Sequence, residues 1–377
     1  MARQGDNIYK RKDGRYEGRY MIGHKPNRTP KYGYIYGISY SEVKKKLISI
    51  KVMYERPRNG TWFRGSFSEY LLRWLEITSA EKNIKASTYG GYYRIIHNHI
   101  IPSLGSKFPH MLTKSDIQSF GRGLTNKGLS QGTAANVLRL LFSVIKSAME
   151  EDIIEKDICK GVRIPRTRKN KIPVLTRTSQ YILEKTCEHE KNGIEVLLAL
   201  YTGMRVGEIC ALKWSDIDLN EGLVYVHKTV QRITRYRENS AGSNGDAKTL
   251  LNFESPKTES SERVIALSPN MITYLSKCRL SAVGEYVVSC KGGVAEPRVC
   301  QYRFEKLLKK AGIKRVNFHV LRHTYATRCM EEGMDLKTLS QLMGHSQMSM
   351  TLKYGDSLTE HKKLAVKALD NVYKTAV

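Results

Sequence analysis

Apolar positions recur at helical spacing over most of this chain and alternate over a few short stretches. Residues 1 to about 60 begin with alternation. Tyr9-Lys10-Arg11-Lys12-Asp13-Gly14-Arg15-Tyr16 switches between aromatic and charged residues around an Asp-Gly pair, which predicts a hairpin. Tyr16, Tyr20 and Met21 continue one strand, and Tyr32 to Tyr36 form another. Val43, Leu47, Ile50 and Tyr54 then fall at helical spacing and predict a helix over Ser41 to Met53. From about Thr61 to Arg163 the period is helical throughout. Phe67-Ser68 opens a helix with Tyr70, Leu71, Trp74 and Leu75 inward; Ser87 caps a second; Thr113 precedes a third; Ser130 starts a long fourth through Leu140, Leu141 and Val144. His97-Asn98-His99 sits between isoleucines on the second helix, where two surface histidines on a core helix are expected.

The pattern is mixed from about residue 174 onward. Helices are expected at 178–189, 193–202, 206–214, 269–281, 298–311, 318–331, 335–343 and 347–353. Strands are expected at 223–226, 230–235, near Thr249 and at 262–267. A last amphipathic helix over 359–374 carries Leu364, Ala365, Ala368, Leu369 and Val372 on one side. The predicted fold is multidomain: a small α+β module at 1–60, an all-α domain at 61–163, and a mainly α domain with a small antiparallel sheet at 174–377. The segment 164–173 reads as a linker, because Pro165 and Pro173 bracket a run of charge.

Charge narrows the function. The 377 residues hold 63 Lys and Arg against 36 Asp and Glu, a formal net charge of +27, which points to a polyanionic partner. Residues 1–60 alone hold 15 Lys and Arg against five Asp and Glu. Nucleic acid is favoured over a membrane surface, since no basic helix with a lipid-facing stripe stands out. No run of 18 apolar residues is present, so no transmembrane helix is expected. The N-terminus lacks an apolar signal-type core, and a soluble cytoplasmic protein is expected. Seven scattered cysteines without a CxxC pair fit reduced thiols better than disulfides or zinc. No cofactor and no metal are expected. Candidate DNA contacts are Lys10, Arg11, Lys12, Arg15 and Arg19 in the first module and Arg163, Arg166, Arg168, Lys169 and Lys171 at the linker.

The candidate chemistry lies between His319 and Tyr354. His319-Val320-Leu321-Arg322 places an imidazole and a guanidinium three apart, on one helix face, and a guanidinium fork matches two phosphate oxygens. Gly344-His345 and then Tyr354 follow. Further upstream stand Tyr201-Thr202-Gly203-Met204-Arg205-Val206-Gly207-Glu208, and Pro256-Lys257-Thr258 leading into Arg263-Val264-Ile265-Ala266-Leu267. Glu208 is three residues after Arg205 and can hold it in place. These motifs contain no carboxylate cluster suited to two metals, which disfavours metal-dependent strand transfer.

At these residues the chain resembles the tyrosine recombinases, the family of phage-type and conjugative-transposon integrases. The match runs in order through Arg205, Lys257, His319, Arg322, His345 and Tyr354. The resemblance implies a site-specific recombinase that cuts and rejoins DNA through a 3′-phosphotyrosine, integrating and excising a mobile element or prophage. It implies Tyr354 as nucleophile, Arg205 and Arg322 on the phosphate oxygens, Lys257 as acid to the leaving 5′-hydroxyl, and His319 and His345 as hydrogen-bonding or proton-transfer groups. It also implies a homo-tetramer on two duplexes with core and arm-type sites, an arm-site-binding module at 1–60 and a core-binding domain at 61–163. An excisionase and a DNA-bending host protein are possible partners. The stretch 230–252 is longer than a minimal hairpin and is expected to form an inserted β-hairpin over DNA. The last helix is expected to dock on a neighbouring subunit, as related recombinases exchange this segment. Type IB topoisomerase activity and a non-catalytic architectural role are the alternatives. Tyr325 and Tyr373 are the rival nucleophiles.

Overall fold

A computed structural model describes residues 7–24, 30–54, 63, 65–165, 172–190, 192–234, 249–254 and 262–355, with the side chains of 21–31, 48–54 and 353–355 left out of the description. It divides into two compact units, Met1–Arg168 and Lys169–Val377.

The first unit opens with an antiparallel sheet of β1 (Ile8–Lys10), β2 (Tyr16–His24) and β3 (Pro30–Gly37), in that order. The predicted hairpin turns at Gly14, whose φ of 84° suits glycine. Helix α1 (Tyr40–Tyr54) covers one face with Val43 and Leu47, both buried. Gly18 lies beneath it, where a Cβ would come within 2.8 Å of Val43. The pairing of Tyr9 with Glu17 and Tyr36, and of Arg19 with Tyr34, puts these residues on the other face. Tyr9, Tyr34 and Tyr36 are exposed there.

The rest of this unit is helical: α2 (Phe67–Glu81), α3 (Ala86–Ile95), α4 (Ile101–Leu104), α5 (Lys114–Asn126) and α6 (Gln131–Glu150). Capping boxes start α2 at Ser66 and Glu69, and α5 at Thr113 and Asp116. Ser130 caps α6 through the Thr133 N–H. Tyr70 donates to Glu151 at 2.9 Å and the Trp74 indole to Ser147 at 2.9 Å, so the buried face of α2 is fixed to α6 by polar tips as well as area. Two expectations need correction. Ser87 does not cap α3; Lys85 holds the N-cap position with no side-chain bond. His97 to His99 lie in a π-helical turn, Ile96–Ile100, rather than on a regular helix. Pro102 explains this. It has no N–H, and its ring presses on the carbonyl four residues back, which a wider turn accommodates.

The second unit contains α7 (Arg177–Glu188), α8 (Ile194–Thr202), α9 (Val206–Ala211), α10 (Pro269–Leu280), α11 (Pro297–Lys310), α12 (His319–Glu331), α13 (Leu336–Met343) and α14 (Ser349–Gly355). A small antiparallel sheet runs β4 (Ile217–Asp218), β5 (Leu223–Val226), β8 (Arg263–Ala266). Strands β6 (Thr229–Thr234) and β7 (Thr249–Glu254) pair as the expected hairpin, and β9 (Ser289–Cys290) and β10 (Gly293–Val294) form a second, unforeseen one. The core gathers Leu197, Leu198, Ile209, Val224, Phe304 and Leu321. The helix expected over 206–214 stops at Ala211. There the chain extends, the Leu212 carbonyl accepts from Val287 at 3.0 Å, and the Trp214 N–H donates to the Glu285 carbonyl at 2.9 Å. All seven cysteines are free thiols. No helix among the described residues is long and apolar enough to cross a membrane. The helix expected at 359–374 lies outside the described residues.

Candidate active site

Two helix ends build the site. The last carbonyls of a helix have no partner within it and carry partial negative charge. Helix α8 ends at Gly203 with φ 64°, and α13 ends at Gly344 with φ 59°, both left-handed. At Gly203 a Cβ would also stand 2.4 Å from the Tyr325 ring. Arg322, from the first turn of α12, is 2% exposed and reaches both ends: Nη1 donates to the Gly203 carbonyl at 2.6 Å and Nη2 to that of Met343. Arg205 Nη2 donates to the Gly344 carbonyl at 3.3 Å. Both guanidiniums are therefore held in part by neutral acceptors, which orient them without cancelling their charge.

Arg205 is also the N-cap of α9, with an extended backbone. Glu208 lies one turn on and is 4% exposed. Its carboxylate accepts from the Arg205 N–H at 2.8 Å and from Arg205 Nη1 at 2.9 Å. The same carboxylate accepts from Arg263 at 2.8 Å and 3.3 Å. Burial alone would push its pKa up, but the Arg263 hydrogen bond and the two positive charges hold it below the usual range. Glu208 thus stays ionised between two arginines.

Three histidines complete the cluster. His319 stands exposed at the start of α12, and its ring meets that of His323 edge-on at 4.4 Å. Partial loss of water, then Arg322 and Arg205, lower the His319 pKa. His345 follows Gly344 and shares a 2.8 Å hydrogen bond between Nδ1 and the buried Thr351 hydroxyl. Burial, then Arg322, Arg205 and Arg263, bring it down to about 4. His323 is likewise lowered to about 4, by burial, then His319 and Arg322. These imidazoles are neutral at pH 7. For His323 and His345 the unfolded chain gains protons near pH 6.5, while the folded one gains them only near pH 4. The stabilisation is whole above pH 6.5 and is lost as the pH falls towards 4. Melting temperature should drop over that window, and His323→Gln should narrow the gap measured between pH 7 and pH 4.5. An unchanged gap would contradict the lowered value.

The structure brings together Arg205, Glu208, His319, Arg322 and His345, which the sequence singled out. Arg263, Thr351 and the carbonyls of residues 203, 343 and 344 were missed. Arg263 was visible only as the head of a strand. A cavity of about 540 Å³ opens beside the cluster, with Met204, Gln301, Phe304, Asn317, His319 and Arg322 in its wall. Tyr354 lies in α14, three residues after Thr351, and its side chain is outside the described residues. Lys257, Arg166, Arg168, Lys169 and Lys171 also lie outside them. Tyr325 packs against Gly203, and burial pushes its phenol up. Of the candidate DNA contacts, Lys10, Lys12 and Arg163 are exposed. Arg11 pairs with Glu17, Arg15 pairs with Asp13 at 2.8 Å, and Arg19 lies 3.5 Å over the Tyr32 ring. No group of three or more His, Cys, Asp or Glu among the described residues is placed to hold a metal ion.

Known proteins share this arrangement of chain. Residues 165–361 match the phage integrase family, and residues 66–124 match the N-terminal SAM-like domain of phage integrases. A "tyrosine recombinase XerC-like" protein of Caldanaerobacter subterraneus is 29% identical over 310 residues, spanning 76% of this chain and 77% of the relative. The Tn1549 transposon integrase, solved in complex with a circular intermediate DNA, superposes with a TM-score of 0.66 at 22% identity, covering 80% of this chain and 99% of that one. A lambda integrase tetramer bound to a Holliday junction gives 0.57 at 20% identity, covering 92% and 97%. The family match spans more than half the chain and contains the whole arginine–histidine cluster, so the chain belongs to the phage integrase family and is a tyrosine-type site-specific DNA recombinase.

Proposed function

We propose that the cluster around Arg322 binds the scissile phosphate of a DNA core site. The observation that carries this is the pair Arg205 and Arg322, both oriented by backbone carbonyls and facing neutral histidines. A pocket with two such guanidiniums stabilises the extra negative charge of a five-coordinate phosphoryl transition state. Tyr354 attacks the phosphate, and the covalent 3′-phosphotyrosine conserves the bond energy for rejoining. Lys257 protonates the leaving 5′-hydroxyl. His319 and His345, neutral before binding, donate one hydrogen bond each or take the phenol proton. Glu208 keeps Arg205 in position.

In this reading residues 1–60 bind arm-type sites with the exposed tyrosine face of their sheet and with Lys10, Arg11, Lys12, Arg15 and Arg19. Residues 61–163 hold the core site, the basic segment 164–173 crosses the backbone, and 174–377 carry the chemistry. Hairpin β6–β7 lies over DNA. The protein acts as a tetramer on two duplexes in the bacterial cytoplasm and moves a mobile element or prophage. An excisionase and a DNA-bending host protein are the candidate accessory partners. Similarity to integrases solved on a transposon circular intermediate and on a Holliday junction supports this reading.

Deletion of residues 1–60 tests the division of labour. The shortened protein should still form a covalent adduct on an isolated core site while losing affinity for distal sites. Loss of core cleavage with distal binding intact would contradict it. Sequencing the junctions made on candidate DNA would define the reaction.

A further inference from the structure

Arg263 is not one of the six residues that match the family in order, yet it is 5% exposed and touches three parts of the site. Its Nη2 and Nη1 reach the two oxygens of Glu208 at 2.8 Å and 3.3 Å. Its Nε donates to the Leu342 carbonyl at 2.6 Å, two residues before Gly344. A Cβ on Gly344 would meet it at 3.1 Å. Strand β8 is thereby fastened to the α9 entry and to the turn that presents His345.

The charges give this a consequence. Arg205 and the buried Glu208 alone would be a neutral pair, and the carboxylate would draw on the charge that a phosphate needs. With Arg263 the trio carries one net positive charge, and the carboxylate is shared. We propose that Arg263 is a positioning residue for DNA cleavage: acting through Glu208, it sets Arg205 and leaves that guanidinium's charge to the scissile phosphate. This rests on the reading that Arg205 contacts that phosphate.

The test compares single-turnover cleavage on two suicide substrates. One has an ordinary scissile phosphodiester. The other has a methylphosphonate there, in which methyl replaces a non-bridging oxygen and removes the negative charge. A neutral centre needs less cationic stabilisation. On the ordinary substrate Arg263→Gln should cleave roughly 10- to 100-fold slower than wild type, the usual cost of losing a partner that orients a reacting group. Binding of the core site should change little. On the methylphosphonate the ratio of variant to wild type should return towards one, as it should for Arg205→Ala. Arg263→Lys keeps a charge but not the fork, and should show a smaller loss with the same relief; it serves if the Gln variant fails to fold. Equal slowing on both substrates would mean that Arg263 only supports the fold, and would overturn the proposal. If Arg205→Ala itself shows no relief, the assignment of Arg205 to the phosphate falls first, and this proposal with it.

Discussion

A Tyr354→Phe protein is expected to bind its core site normally and to form no covalent adduct. The change removes one oxygen and keeps the ring, so packing of α14 and duplex affinity should stay near wild type. Without the phenol no protein–phosphate bond can form, and the loss should be complete rather than partial. A nicked suicide substrate traps the adduct, and a denaturing gel reads it. Adduct formation at the wild-type rate would move the nucleophile elsewhere. Tyr325 is poorly suited to replace it: burial raises its pKa, and its ring lies against Gly203. Helix α14 is tied to the arginine–histidine cluster through the bond between Thr351 and His345, which favours a nucleophile three residues after Thr351.

The second large effect is expected at Lys257. A positioned general acid contributes on the order of 10²- to 10⁴-fold, so Lys257→Ala should slow cleavage of an ordinary core site by that range. A substrate with sulfur in place of the 5′-bridging oxygen leaves as a thiolate and needs little protonation. It should restore cleavage by Lys257→Ala while giving no rescue to Tyr354→Phe. Equal slowing on both substrates would recast Lys257 as a group that holds the phosphate. The comparison separates proton donation from charge stabilisation, two roles that a lysine can combine.

Local rules made the helices legible. The helix starts read at Phe67-Ser68 and after Thr113 are the ones the structure has, each fixed by a capping box, Ser66 with Glu69 and Thr113 with Asp116. The Asp13-Gly14 turn and the spacing of Val43 and Leu47 belong to the same class. What stayed hidden was set by distant partners. The end of α9 depends on residues 285–287, far along the chain, which no local period records. The π-turn at Ile96–Ile100 needed a judgement of how Pro102 would be accommodated, and a helical apolar pattern passes over it unmarked. In the site, the motif singled out the cations and not how they are held. Arg322 and His319 are three apart, as a shared face requires, but one is buried on carbonyls and the other exposed at the rim. Arg263 looked like any charged residue at a strand's edge. What sets it apart is its bond to Glu208, 55 residues earlier.

The carbonyl anchors of the two arginines bear on how this protein can be diversified. A side-chain acceptor is lost by a single substitution, whereas a main-chain carbonyl is present whatever residue occupies the position. Sensitivity moves instead to backbone shape, at Gly203 and Gly344, where φ is 64° and 59°. A residue with a Cβ costs roughly 1–2 kcal/mol in that conformation, and at 203 it would also collide with the Tyr325 ring. A library built to retarget the recombinase can therefore vary its DNA-facing surfaces freely while these two positions stay glycine. The carbonyl anchors of Arg205 and Arg322 would then be inherited intact by every member.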